Sequence, residues 1–327
     1  MIMKKIGKLL VFLLICTFVF MGCQKTDDKK EEETQTNNEI KDNAYTFGFS
    51  CITMDNPYFI ALESAIRENV EMEGHELITM NAESDPELQE SQIQELIEQE
   101  VDAVFLAPYD WIAIGSAVER LNEAGIKIIN VDTQVQAFDK VNAYVGSDNT
   151  EAGYTCGKDL LEKLPQGGKI IIVECPNRNS INERIKGFER AIAKKGFQVV
   201  ARIDAKADLN VALPEVEIAL QNNPDVVAIM CGNDASALGA LVAANSVGMK
   251  DILIYGIDGS PDVKKEIAKE NSLITATVGQ STKEIGSKAV EVAIKLMNQE
   301  KIEKVTHIPT FIITKENIDT YGVEEWQ

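Results

Sequence analysis

Short apolar runs alternate with longer amphipathic segments along most of the chain. The apolar runs are rich in Val and Ile, and most of the segments between them are ten to sixteen residues long. Segment 59–73, for example, places five residues along one face at helical spacing: Ile60, Ala61, Ser64, Ala65 and Ile66. Continuous apolar strands that alternate with helices are typical of parallel sheets covered by helices on both faces. The ten predicted strands are residues 45–52, 77–80, 103–107, 127–131, 143–145, 169–173, 199–203, 226–230, 252–255 and 274–278.

The predicted elements repeat in two halves of the chain. Residues 102–108 read Asp-Ala-Val-Phe-Leu-Ala-Pro, and residues 225–231 read Asp-Val-Val-Ala-Ile-Met-Cys. In each half this strand lies between two predicted helices. A globular part of about 280 residues is long enough for two lobes. We therefore expect an α/β fold with two similar lobes and a ligand in the cleft between them.

The N-terminus has the features of an export signal. Three lysines lie before residue 9, an apolar run covers residues 9–21, and Gly22 and Cys23 follow. The apolar run is short for a membrane-spanning helix, which needs about twenty residues. Residues 20–23, Phe-Met-Gly-Cys, resemble the lipobox of bacterial lipoproteins, which implies cleavage after residue 22 and a lipid on Cys23. Phe20 departs from the usual Leu. An uncleaved anchor, or a cleaved signal with an incidental Cys, is the alternative.

Residues 24–43 are predicted to form a disordered linker behind this lipidated Cys23. The segment is rich in Asp, Glu, Lys, Thr and Asn, so it cannot bury enough apolar surface to fold. We expect the linker to tether a globular domain to the outer face of the cell membrane. The formal net charge of −20 argues against nucleic acid as a partner.

Cysteine and histidine content argues against a metal site. Four cysteines lie beyond residue 43, namely Cys51, Cys156, Cys175 and Cys231, and no CxxC pair occurs. With only two histidines in the chain, we predict no metal and no cofactor. Buried free thiols are the expectation for these cysteines, and the sequence leaves one disulfide open.

Polar side chains follow most of the predicted strands. Asp, Asn or Gln stands at or just after the strand end in segments 55–59, 107–111, 130–133, 232–234, 256–259 and 279–280. The carboxyl ends of parallel strands meet at one edge of a sheet, where ligands bind. Asp and Asn also cap the helices that follow strands, so each single position has this second interpretation. Six such positions with aromatic residues among them favour a binding site for a polar ligand.

Five segments together resemble the periplasmic ribose-binding type of substrate-binding protein. They are residues 55–59, Asp-Asn-Pro-Tyr-Phe; 130–134, Asn-Val-Asp-Thr-Gln; 184–188, Arg-Ile-Lys-Gly-Phe; 231–240, Cys-Gly-Asn-Asp-Ala-Ser-Ala-Leu-Gly-Ala; and 256–262, Gly-Ile-Asp-Gly-Ser-Pro-Asp. The resemblance runs from about residue 45 to residue 313. It implies two Rossmann-like lobes joined by a three-segment hinge, with closure on the ligand.

The resemblance also implies the lobe boundaries and the ligand-binding residues. The first lobe would hold residues 44–146 and 281–309, and the second residues 147–280 and 310–327. An aromatic face packs on a sugar ring, while carboxylates, amides and a guanidinium bind its hydroxyls. The implied ligand-binding residues are Asn56, Tyr58, Phe59, Asp132, Arg184, Asn233, Asp258 and Gln280.

Four departures from the ribose-binding pattern bear on the identity of the ligand. Ala107 stands where ribose binders have Asn, Thr133 where they have Arg, and Ala207 and Ile257 where they have Phe. Loss of these groups should open the pocket and change its hydrogen bonding. A hexose, another pentose, or a cyclic polyol such as inositol fits as well as ribose.

Three further side chains are candidate site residues. Tyr109 and Trp111 follow the third strand, where either could replace a lost aromatic wall or pack between that helix and the hinge. Thr133 follows Asp132 directly and is a third candidate.

The sequence lacks motifs that are typical of other functional classes. No G-x-G-x-x-G follows the first strand, and no G-x-x-x-x-G-K-[ST] occurs in the chain, so we predict that it is not an enzyme. A repressor of this fold would begin with a DNA-binding helix-turn-helix where this chain has an export signal. We expect a monomeric solute-binding protein that serves the permease of an ABC importer. A sensor that presents ligand to a membrane receptor kinase or chemoreceptor is the alternative, which the sequence leaves open.

Overall fold

A computed structural model describes residues 44–327. The predicted export signal, Cys23 and the linker lie outside these residues. Within residues 44–327, no helix is long and apolar enough to cross a membrane.

Strands and helices alternate through nearly the whole described part of the chain, as the apolar pattern predicts. The strands are β1 (Thr46–Cys51), β2 (Glu76–Asn81), β3 (Ala103–Leu106), β4 (Lys127–Val131), β5 (Ala143–Ser147), β6 (Gly168–Glu174), β7 (Phe197–Asp204), β8 (Val226–Cys231), β9 (Leu253–Asp258), β10 (Ile274–Gly279), β11 (Val305–Ile308) and β12 (Phe311–Thr314). The helices are α1 (Pro57–Met72), α2 (Pro86–Glu98), α3 (Gly115–Glu123), α4 (Asn149–Lys163), α5 (Asn179–Ile192), α6 (Leu209–Asn222), α7 (Asp234–Ser246), α8 (Pro261–Ala268), α9 (Thr282–Met297) and α10 (Ile318–Tyr321). A 3-10 turn covers Phe138–Lys140.

The first lobe is built on a six-stranded sheet with the order β11-β5-β4-β3-β1-β2. All of its pairings are parallel. Apolar residues of α1 and α9 cover one face, where they pack on Phe47, Phe49 and Phe105. Apolar residues of α2 and α3 cover the other face. Because both faces are buried, the strands are apolar along their whole length, which is the pattern read from the sequence.

The second lobe repeats this arrangement with the strand order β12-β10-β9-β8-β6-β7. Only β12 runs antiparallel to its neighbour among the described strands of this sheet. Helices α4 and α5 lie on one face, and α6, α7 and α8 lie on the other. The predicted fold class, two similar α/β lobes with parallel sheets, is confirmed.

Helices α4 and α5 cross at very short range. A Cβ atom on Gly153 would lie 1.7 Å from the carbonyl oxygen of Arg184, and one on Gly187 would lie 2.0 Å from that of Thr150. Glycine is therefore required at both positions. The close crossing fixes α5, and with it Arg184, against the rest of the second lobe.

The four cysteines beyond residue 43 are buried free thiols. Burial raises the pKa of the Cys175 thiol to about 11 and that of Cys51 to about 12. These cysteines are therefore core residues, as expected from their places in apolar strands.

The last residues of the chain contact both lobes. Trp326 packs against the core of the first lobe, with its ring 5.9 Å from that of Tyr58. The backbone carbonyl of Glu325 accepts a hydrogen bond of 2.5 Å from Lys264, a fully buried residue of α8 in the second lobe. Although residues 310–327 were assigned to the second lobe from the sequence, their final residues thus also touch the first.

Candidate functional site

A small cavity lies between the lobes at the carboxyl ends of the strands. Ten residues line it: Asn56, Tyr58, Phe59, Asp132, Arg178, Ser180, Ile181, Arg184, Asn233 and Asp258. Seven of these come from the eight residues predicted from the sequence. The eighth, Gln280, lies behind them and donates a hydrogen bond of 2.8 Å to Asp258.

The start of α1 supplies an amide and two aromatic rings. Asn56 caps the helix by accepting a hydrogen bond of 3.0 Å from the backbone N–H of Tyr58. Capping uses the Oδ1 atom, so the Nδ2 amide remains to face the cavity. The rings of Tyr58 and Phe59 are nearly perpendicular, with centroids 5.3 Å apart. The buried hydroxyl of Tyr58 makes no direct hydrogen bond among residues 44–327, although it lies near enough to Asp132 to lower the pKa of that carboxyl.

The turn after β4 holds Asp132 in an unusual conformation. Its φ of 62° lies in the left-handed region, which costs energy for a residue other than glycine. The buried Asn130 fixes this turn by donating to the carbonyl of Thr133 at 2.9 Å and accepting from the N–H of Val135 at 2.9 Å. The hydroxyl of Tyr144 donates to the carbonyl of Asp132 at 2.9 Å. The Asp132 carboxylate is therefore held rigidly at the cavity.

Arg184 lies at the centre of the second lobe's side of the site and is almost fully buried. Its Nε donates to Oδ1 of Asn149 at 2.8 Å, and Nη1 donates to the carbonyl of Gly232 at 2.9 Å. Nη1 also forms an ion pair of 3.3 Å with Oδ1 of Asp258. These contacts fix the guanidinium plane before any ligand enters.

Burial shifts the ionisation of the two lining carboxyls. It raises the pKa of Asp258 to about 7, an effect that Arg184 opposes and the nearby Asp234 reinforces. It also raises the pKa of Asp132, against the lowering effect of Arg184 and Arg178. A ligand that donates hydrogen bonds to these carboxylates stabilises their ionised forms.

Asn233 caps a helix and also lines the cavity. Its Oδ1 caps α7 by accepting from the N–H of Ser236 at 3.2 Å, and its Nδ2 donates to the carbonyl of Ala207 at 3.1 Å. These bonds orient the amide at the edge of the cavity.

Three of the lining residues were not predicted from the sequence: Arg178, Ser180 and Ile181. They lie between the end of β6 and the first turn of α5. None of the three is an Asp, Asn or Gln, so the search for these residue types at strand ends did not identify them. Ile181 supplies an apolar wall in the second lobe, where Ala207 and Ile257 are also buried in the core beneath.

The three further candidates lie at the cleft, outside the ten residues that line the cavity. The hydroxyl of Thr133 forms a hydrogen bond of 2.8 Å with that of Ser180, which joins the two lobes. The backbone of Trp111 donates to the carbonyl of Asn177 at 3.1 Å, and the Asn177 side chain donates to the carbonyl of Tyr109 at 3.3 Å. These bonds join the loop after β3 to the loop after β6.

The cavity therefore combines rigid acceptors, rigid donors and an aromatic surface. Such a site can exchange hydrogen bonds with several hydroxyl groups while an apolar ring face packs on Phe59.

Known proteins resemble the chain over nearly its whole length. The ribose import binding protein RbsB of Bacillus subtilis is 33% identical over 306 residues, which cover 93% of this chain and 98% of that protein. A periplasmic solute-binding protein of Actinobacillus succinogenes, solved with bound D-allose, has a TM-score of 0.78 at 27% identity over 85% of this chain and 100% of that one. A solute-binding protein of Bacillus halodurans, solved with bound myo-inositol, has a TM-score of 0.79 at 27% identity over 85% of this chain and 96% of that one.

These relatives are named for binding or import, which confirms the predictions of a binding protein rather than an enzyme and of a ribose-binding type. A model of the periplasmic binding protein domain matches residues 47–301. The chain therefore belongs to the periplasmic binding protein family.

Proposed function

We propose that this protein binds a monosaccharide or cyclic polyol outside the cytoplasm and delivers it to the permease of an ABC importer. One observation carries the proposal: Asp132, Arg184 and Asp258 are buried around one cavity, beside the aromatic rings of α1. Buried charges are costly unless hydrogen bonds satisfy them, and a polyhydroxylated ring supplies such bonds in many directions.

Cavity size restricts the ligand class. The cavity is small, and side chains from both lobes surround it. The space suits a single sugar ring better than an oligosaccharide. Relatives named for ribose, D-allose and myo-inositol agree with a ligand of this size.

Closure of the two lobes on the ligand is part of the proposal. Thr133 and Ser180 meet across the cleft at 2.8 Å, and the loops that hold Trp111 and Asn177 also bond across it. These direct contacts would break when the lobes separate to admit a ligand. We propose the lobe boundaries given above, with the final residues shared between the lobes.

A thermal-shift screen of pentoses, hexoses and cyclic polyols tests the proposed ligand class. A ligand at a thousandfold excess over its dissociation constant stabilises the protein by about 4 kcal/mol. At least one neutral sugar or polyol should raise the melting temperature. A folded protein that responds to none of them would refute the proposal.

Membrane attachment through a lipid on Cys23 is a separate part of the proposal. It rests on the lipobox-like residues 20–23 and the polar linker behind them. The Cys23→Ser variant should move from the membrane fraction to the soluble exported fraction, while Cys16→Ser should stay with the membrane. Equal membrane retention of both variants would refute lipidation at Cys23.

A further inference from the structure

Arg178 stands out because its buried guanidinium forms no hydrogen bond or ion pair within the described part of the chain. The residue is 7% exposed, and its Nε has no hydrogen-bond partner within residues 44–327. Loss of hydration at an unpaired charge is costly, so such a group in a native structure needs a cause. Arg178 lines the cavity, so a ligand bound there would be such a cause.

The backbone around Arg178 fixes where its side chain starts. Its N–H donates to the carbonyl of Cys175 at 3.0 Å, and its carbonyl accepts from the N–H of Asn182 at 3.1 Å. Although Arg178 occupies the capping position of α5, its side chain forms no capping bond. The side chain is therefore free to contact a ligand in the cavity.

Two positive and two negative side chains line the cavity, and only one pair of them forms an ion pair among the described residues. Arg184 forms the ion pair with Asp258 at 3.3 Å. Asp132 and Arg178 line the same cavity from opposite lobes, and neither forms an ion pair with another described residue. The bond between Thr133 and Ser180 holds their two loops together. A ligand between them can satisfy both groups.

We propose that Arg178 is a specificity-determining residue that binds, opposite Asp132, a pair of adjacent hydroxyls on a neutral ligand. The inference rests on the proposed sugar- or polyol-binding function. A hydroxyl accepts a hydrogen bond from a guanidinium and donates one to a carboxylate, so adjacent hydroxyls satisfy both residues. An acidic group on the ligand would satisfy Arg178 but add a third negative charge beside Asp132 and Asp258.

Calorimetry on Arg178→Gln with four neutral probes tests the inference. The probes are D-ribose, D-allose, D-galactose and myo-inositol, with D-galacturonate as the acid matched to D-galactose. Loss of hydrogen bonds from a charged donor should weaken the tightest neutral probe by about 30-fold. The control Arg190→Gln changes an outward-facing residue of the same helix and should alter the affinity less than twofold.

Monodeoxy derivatives of that tightest probe identify the hydroxyl that Arg178 binds. One derivative should bind the parent protein weakly, and with this derivative the penalty of Arg178→Gln should fall below threefold. The ligand-free variant should melt close to the parent protein, because the guanidinium forms no hydrogen bond or ion pair within residues 44–327 and loses only a longer-range charge interaction with Asp132. A purely structural role predicts a lower melting temperature and an equal penalty with every derivative, which would overturn the inference.

Other outcomes separate this inference from the function on which it rests. If a neutral probe binds the parent protein and Arg178→Gln binds it within threefold, the inference fails while the proposed function stands. The same holds if D-galacturonate binds over tenfold tighter than D-galactose. If the folded parent protein binds none of the five probes and responds to no sugar or polyol in the thermal-shift screen, both fail.

Discussion

Replacement of Arg184 by Met would measure how much the central guanidinium contributes to the fold itself. Met retains most of the apolar length of the side chain but donates no hydrogen bond. Its introduction leaves the buried acceptors of Asn149 and Gly232 without their donor. An unsatisfied buried acceptor costs about 1 kcal/mol or more, so these two should cost about 2 kcal/mol together.

A second contribution to the loss depends on pH, because Arg184 also stabilises the ionised form of Asp258. With the guanidinium present, the pKa of Asp258 lies at about 7. Without it the pKa rises further, so above pH 7 the variant keeps a neutral carboxyl that ionises when the chain unfolds. One pKa unit corresponds to about 1.4 kcal/mol, which gives about 2 kcal/mol more at pH 8.5. Below pH 7 the carboxyl is protonated in both folded proteins, and this contribution disappears.

Urea unfolding at pH 6 and pH 8.5 checks both contributions. We expect Arg184→Met to lose about 2 kcal/mol at pH 6 and about 4 kcal/mol at pH 8.5. The matched control is Arg190→Met on the same helix, whose side chain is 57% exposed and lies 4.6 Å from the ring of Tyr154. It should lose less than about 1 kcal/mol at either pH. A loss no larger than the control's, or one that is equal at both pH values, would refute the reasoning.

Three further outcomes are expected. As the pH falls from 8 to 5.5, affinity for a neutral sugar should drop by about tenfold or more, because Asp258, with a pKa of about 7, loses its ionised form. Over the same range the empty protein should become more stable, since this carboxyl binds its proton more tightly in the folded state than in the unfolded chain. Calorimetry and thermal melts check the two opposite trends, and a parallel decline of both would contradict the assignment. Gly187→Ala should lower stability by about 2 to 3 kcal/mol, because the new Cβ would lie 2.0 Å from the carbonyl oxygen of Thr150; an unchanged urea midpoint would exclude so close a helix crossing. Thr133→Val should weaken ligand binding by about threefold to tenfold, because it removes the 2.8 Å bond to Ser180 across the cleft; unaltered affinity would show that this bond does not favour the closed form.

The alternation of apolar strands and amphipathic helices was enough to predict the lobes and ten strands. All ten predicted strands overlap strands of the structure, whereas β11 and β12 were not predicted. Each of these two has only four residues. They also lie at sheet edges, where burial places a weaker demand on the sequence.

The polar strand ends predicted most of the cavity wall, but contacts between distant segments decide the rest. Gln280 binds Asp258 from behind the cavity, which its own position at a strand end does not reveal. Arg178 has the appearance of an exposed charge at the start of a helix until the fold places it opposite Asp132. The sequence left open whether a strand-end Asn caps a helix or faces the cavity, and Asn56 caps α1 and also lines the cavity.

Near its C-terminal end the chain adds one more strand to each sheet, β11 to the first and β12 to the second. This topology restricts the order in which the protein can fold. Helix α9 packs on α1, and β11 pairs with β5, although both lie more than 130 residues beyond those partners in the first lobe. The first lobe therefore stays incomplete until residue 308 is available, when nearly all of the second lobe has been synthesised. Contacts of such long sequence separation slow folding, because a large loop must close before they form. A chain with this topology stays unfolded for longer as it emerges, and a truncation before β11 would leave neither sheet with its final strand.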